Sequence, residues 1–181
     1  MSEIVILSGS PSETSRSETV LKYLGDQLQK QGLSIKHLSV RDVPQNDLFT
    51  ARFDSPAIQE ISSQIYNADG VIIASPVYKA AYSGVLKALL DLLPQDVLQG
   101  TPVLPLMTGG SPNHLLALEY SLKPLLATLK AHNLKGVYLV DSQIDKQNPA
   151  QPILEEELLE RLEKQLAYFV NIIGKQKVTS V

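Results

Sequence analysis

Ile4-Val5-Ile6-Leu7 is a continuous apolar run that empties abruptly into the polar stretch SGSPSETSRS at residues 8–17. A short run with no polar alternation predicts a parallel strand covered on both faces. Val20, Leu21, Leu24 and Leu28 then recur at helical spacing, predicting a helix over residues 15–31 that Gly32 stops. Ile35, His37 and Ser39 alternate with Lys36, Leu38 and Val40, giving a second strand over 34–40. Residues 41–56 carry two prolines and no period, and read as a long loop. A helix over 58–66, a buried strand over 70–74 and a helix over 85–93 closed by Pro94 follow. Residues 103–107 form the fourth strand, although Pro105 removes a ladder donor from its middle. A long helix over 113–130, a strand over 136–140 and a final helix over 152–173 complete the chain, with Leu154, Leu158, Leu162, Leu166 and Ile173 as the last helix's core face.

This alternation predicts an α/β fold: a doubly wound five-stranded parallel sheet with helices on both faces. Of the two common strand orders, 2-1-3-4-5, the flavodoxin-like one, is favoured. With 181 residues and no linker rich in Gly or Ser, residues 1–181 read as a single domain. In that order ligands bind beyond the carboxyl ends of the strands, between strands 1 and 3. The loops at residues 8–17, 75–83 and 108–111 must therefore line the site.

The first loop brings hydroxyls, helix-start N–H groups and the Arg16 guanidinium to one place, which describes an anion site suited to a phosphate monoester. It has neither the P-loop spacing nor the dinucleotide fingerprint, so triphosphate hydrolysis and a Rossmann dinucleotide site are disfavoured. A helix-capping loop without ligand is the alternative. The second loop, SPVYKAAYSG, sets Pro76 to Tyr78 at the crevice edge, where backbone and an aromatic face can bracket a planar ring. The third, TGGSP, lets backbone approach closely at Gly109 and Gly110. A phosphate attached to a flat ring satisfies all three loops, and flavin mononucleotide (FMN) has both parts.

The remaining numbers narrow the classes. A net charge of -3 leaves no basic footprint for nucleic acid or an anionic membrane. The absence of cysteine excludes disulfides, thiolate ligation and cysteine nucleophiles, so redox chemistry needs a borrowed group. No metal site is expected. Without a signal-peptide pattern or a long apolar segment, the chain reads as cytoplasmic.

GSPSETSRS, ARFDSPA, ADGVIIASPVYKAAYSGVLKALLDLLP, LPLMTGG and HLLALEYSLKPLL together resemble the NADPH-dependent FMN reductases, specifically the flavin reductase of the two-component alkanesulfonate monooxygenase system. SPVYKAAYSG is the family-specific segment. The resemblance implies hydride transfer from NADPH to FMN and delivery of reduced flavin to a monooxygenase, with no protein nucleophile required. It places Ser10, Ser15, Arg16 and Ser17 on the phosphate loop, Pro76, Val77, Tyr78 and Ser83 along the isoalloxazine, and Thr108, Gly109 and Gly110 at its pyrimidine edge. Ser12 departs from the arginine that many relatives carry after GSP. His114, behind the third loop, reads as a helix-end residue within reach of the ligand. Pro124 denies the carbonyl of Tyr120 its helical donor, which predicts a kink or π-bulge there. Relatives place a tyrosine of such a π-helix at a tetramer interface beside the flavin, which implies a role for Tyr120 in assembly and flavin release. Two other readings stand beside this one: an enzyme that retains FMN and reduces quinones or azo dyes, and a flavodoxin-type electron carrier. No isolated basic pair in the sequence marks a site that prefers NADPH over NADH.

Overall fold

The period-two alternation within each strand divides the core in two. In the computed structural model, which describes residues 2–179, Val5 and Leu7 of β1 (Glu3–Ser8) face one side of the sheet, and Ile4 and Ile6 the other. The first face packs against α3 (Pro56–Tyr66), α4 (Gly84–Leu90) and α5 (Lys123–Thr128). The second packs against α1 (Arg16–Lys30) and α6 (Glu156–Thr179), with Phe169 fully buried. Ile4 to Leu7 is thus apolar at every position because each position has a layer to meet.

The remaining strands are β2 (Ser34–Ser39), β3 (Gly70–Pro76), β4 (Pro102–Gly109), β5 (His132–Asn133) and β6 (Val137–Val140). All named pairs are parallel, in the order β2-β1-β3-β4 with β5 and β6 both on the free edge of β4. This is the flavodoxin-like order read from the sequence; the expected fifth strand over 136–140 is β6, and the unexpected β5 before it splits that edge into two segments, making six strands where five were expected.

Pro105 explains the split. Leu134 N–H donates to the carbonyl of Val103, so Val103, and Pro105 two residues on, turn their backbones toward the edge strand. Proline has no N–H to offer there, and the edge chain pairs before it and after it but not at it. Gly136 crosses the gap at φ 75°, so near Pro105 that a side chain would meet the Pro105 carbonyl.

Three expectations are corrected. Residues 41–56 are not all loop: Val40–Asp42 makes a 3₁₀ turn and Gln45–Phe49 a short helix, α2. Buried Asp47 holds this segment by accepting from the Ser55 hydroxyl at 2.7 Å. Residues 113–130 are not one helix but a 3₁₀ turn at Pro112–His114, a π-helix at Leu118–Leu122 and then α5. The fault lies where Pro124 predicted it, with Lys123 N–H reaching back five residues to the Leu118 carbonyl. Leu154 is not part of the last helix's core face, because α6 starts after it and leaves it exposed.

Candidate functional site

The carboxyl ends of β1, β3 and β4 are tied to one another before any ligand is considered. Gly9 N–H donates to the Ala74 carbonyl at 2.7 Å, and Val77 N–H to the Thr108 carbonyl at 2.7 Å. Ser83 N–H donates to Ser75 Oγ at 2.9 Å, and Ser83 Oγ donates to the Gly9 carbonyl while accepting from Leu86 N–H as the N-cap of α4. The structure therefore brings the three predicted loops to one edge.

Within the first loop the hydroxyls divide by task. Ser10 is fully buried, and its Oγ closes a turn by accepting from Ser12 N–H and donating to the Ser12 carbonyl. Ser15 caps α1 by accepting from Glu18 N–H, with the buried Ser17 hydroxyl 3.2 Å from its own. Arg16 begins the helix, and its Nε is buried without a hydrogen-bond partner. A first helical turn also leaves backbone N–H groups without intrahelical acceptors. The orphaned donor and the helix start together suit an anion.

The second loop is a tight turn. Tyr78 and Ala81 exchange backbone hydrogen bonds across Lys79 and Ala80, which lie at φ 49° and 66°. Two successive left-handed residues define a type I′ turn, where glycine or asparagine is the low-energy choice. Lysine and alanine there carry strain that the surrounding ties hold in place. The turn lifts Tyr78 to the rim, where its side chain is half exposed, while Pro76 stays buried beneath it.

In the third loop Thr108 and Gly109 are buried and Gly110 is exposed. A side chain at Gly109 would stand 2.5 Å from the Tyr138 hydroxyl and 3.3 Å from Val77 Cβ, so only glycine fits between the second loop and β6. Tyr138 donates to the Ser111 carbonyl and pins the loop from behind. Burial, and then the nearby Asp141 charge, push its phenol above the ordinary range. His114 sits in the 3₁₀ turn behind this loop. Tyr120 lies on the π-helix with 79% of its surface exposed, beside exposed Leu115 and Leu116.

The sequence reading missed the charged cluster under the first loop. Glu18, at 1% exposure, meets His37 Nε2 at 2.7 Å, Arg41 Nη2 at 3.4 Å and Lys22 Nζ at 3.5 Å. Burial would push its carboxyl up, but hydrogen bonds from His37 and Ser8 and the charges of His37 and Arg41 outweigh it and hold the pKa at about 2. Arg41 Nη1 also donates to the Ser10 carbonyl at 2.8 Å. An acid in the first turn of a helix looks like an ordinary dipole partner in sequence, and nothing local links it to residues 37 and 41.

One feature tests the fit of a flavin phosphate to these residues and agrees with it: the partnerless Arg16 Nε at the start of α1 in the first loop. Among the described residues no group of His, Cys, Asp and Glu is arranged to hold a metal ion, and no helix is long and apolar enough to cross a membrane.

Comparison with known proteins agrees with this fold. The sequence profile of the family described as NADPH-dependent FMN reductase matches residues 2–145. The chain is 50% identical over 142 residues to the FMN reductase (NADPH) of Escherichia coli K12, covering 78% of this chain and 74% of that protein. It is 46% identical over 166 residues to the FMN reductase (NADPH) of Pseudomonas putida KT2440, covering 88% and 84%. The crystal structure of an apo NADH:FMN oxidoreductase superposes with a TM-score of 0.83 at 35% identity, over 93% of this chain and 88% of that one.

Proposed function

The chain belongs to the NADPH-dependent FMN reductase family, and from that premise we propose that it oxidises NADPH, reduces FMN and releases the reduced flavin to a monooxygenase. The observation that carries this reading is the partnerless Arg16 donor at a helix start, on the sheet edge where the ties through Ser83, Gly9 and Val77 bring the loops of Tyr78 and Gly109 alongside. When bound, the two cofactors supply the hydride chemistry themselves. The chain's residues bind and orient. Arg16 and the first-turn N–H groups would take the phosphate, Ser15 caps the helix there with the buried Ser17 hydroxyl beside it, and Ser10 shapes the loop. Pro76, Val77 and Tyr78 lie along the ring, and the backbone of Thr108, Gly109 and Gly110 meets its polar edge. Ser83 holds the first two loops together through the Gly9 carbonyl.

In this reading FMN is an exchanging substrate, and residues 1–181 act as one domain. The acceptor of reduced flavin is the monooxygenase of a two-component alkanesulfonate system in the cytoplasm. Tyr120 on the π-helix and Leu115 and Leu116 in the turn before it are exposed apolar side chains, which supports an interface between copies of the chain, in this reading a homotetramer that shields Tyr120 and governs flavin departure. Mixing the purified protein with NADPH, FMN and a reduced-flavin-dependent alkanesulfonate monooxygenase is expected to release sulfite. Reduced flavin formation without sulfite would restrict the function to the reductase half. Tyr120→Ala is expected to change oligomeric state and flavin retention, and the assembly role fails if both, and turnover, are unaltered.

A further inference from the structure

Two negative groups flank the proposed phosphate loop and should repel its ligand. Glu18 occupies the first turn of α1 and is ionised, and the Ser10 carbonyl lies within the loop itself. An anion beside a buried carboxylate in a low-dielectric wall pays a large Coulombic penalty unless that charge is masked. Within residues 8–17 the only cation is Arg16, so masking must come from elsewhere.

Arg41 meets both groups at once. It lies just beyond β2, in the 3₁₀ turn at Val40–Asp42, where Ser39 Oγ accepts from its N–H and Asp42 accepts from Ser39 N–H. One guanidinium nitrogen donates to the Ser10 carbonyl at 2.8 Å, and the other stands 3.4 Å from Glu18. The side chain is about a quarter exposed, so its charge is only partly screened. His37 and Lys22 also face Glu18, with Lys22 half exposed, but it is Arg41 that joins Glu18 to the loop backbone.

We propose that Arg41 is a positioning residue for flavin phosphate: it masks Glu18 and the Ser10 carbonyl and so makes the first loop receptive to an anion. This rests on the FMN-binding reading above and names the part of the chain, outside the loop, on which phosphate recognition depends. Its hallmark is selectivity. FMN carries the phosphate and riboflavin does not, while both present the same ring to the second and third loops.

The test is a double-mutant cycle read by equilibrium binding, using quenching of flavin fluorescence with FMN and riboflavin as the probes. Arg41→Gln is expected to weaken FMN about tenfold, or about 1.4 kcal/mol, and to leave riboflavin unchanged. Adding Glu18→Gln to that variant removes the unmasked charge and is expected to restore much of the FMN affinity. Arg41→Lys keeps the charge and is expected to fall between wild type and Arg41→Gln. Circular dichroism confirms that each variant is folded. Equal weakening of FMN and riboflavin, no weakening at all, or no recovery in the double variant overturns the proposal. A wild-type protein that binds neither flavin refutes the reductase reading itself, whereas wild-type FMN binding with an unaffected Arg41→Gln refutes only the role of Arg41.

Discussion

Replacing Glu18 by Gln isolates the charge at the centre of the cluster under the first loop. The carboxyl ionises at about 2 in the folded protein, against an ordinary value of 4.5. At about 1.4 kcal/mol per pKa unit that difference is about 3 kcal/mol of stability held by the ionised form. The folded value is the depressed one, so this contribution is complete above about pH 4.5 and declines as pH falls toward 2. Linkage leaves roughly half of it at pH 3. Breaking a buried ion cluster from one side costs about 3–5 kcal/mol, a figure of the same size. The variant should therefore be about 3 kcal/mol less stable than wild type at pH 7 and about 1.5 kcal/mol less stable at pH 3. With no tryptophan in the chain, urea denaturation is best followed by circular dichroism. A slope of about 2 kcal/mol per molar urea turns the neutral-pH loss into a midpoint shift of about 1.5 M. A gap between the two proteins that stays constant from pH 7 to pH 3, or no gap at pH 7, would refute the assignment of a strongly depressed, ion-paired carboxylate.

Ala80→Gly should stabilise the protein by about 0.5–1 kcal/mol, because relief of a left-handed alanine, worth about 1–2 kcal/mol, exceeds glycine's added freedom in the unfolded chain. A thermal melt should rise by about 2 °C, and a fall would mean the turn carries no strain. Gly109→Ala should cost about 1–3 kcal/mol by overpacking against Tyr138 and Val77, and should weaken FMN and riboflavin alike. Adding Tyr138→Phe should recover part of that loss by removing the hydroxyl. Ser83→Ala should lower stability by about 1–3 kcal/mol, since it strips the Gly9 carbonyl of its donor and α4 of its cap. Loss of flavin binding at unchanged melting temperature would instead place that hydroxyl on the ligand.

The sheet order and the three converging loops were readable because they follow from strong local signals. Apolar runs such as Ile4 to Leu7 mark parallel strands, and strand order then dictates which loops share an edge. Pro124 announced the π-helix around Tyr120 for the same reason, since a missing N–H acts on its own helix. What stayed hidden depends on partners distant in sequence. The split of the last strand needs Pro105 and Gly136 opposite each other, and a fifth strand over residues 136–140 was all that periodicity could offer. The short helix Gln45–Phe49 lacks a period and is held by the Asp47–Ser55 pair. Glu18 joins His37 and Arg41 only after β2 has paired with β1. The serines of the first loop illustrate the limit within the site: their presence predicted an anion cradle, but which hydroxyls are spent internally, as at Ser10 and Ser15, is set by packing.

The most direct test of the central claim is NADPH oxidation by the dialysed protein, followed by loss of nicotinamide absorbance with and without added FMN. The account predicts that turnover depends on added FMN and saturates with it. Oxidation sustained without added FMN, by flavin that survives dialysis and passes electrons to a quinone or dye, would contradict the exchanging-substrate reading, and no NADPH oxidation under either condition would contradict the reductase assignment.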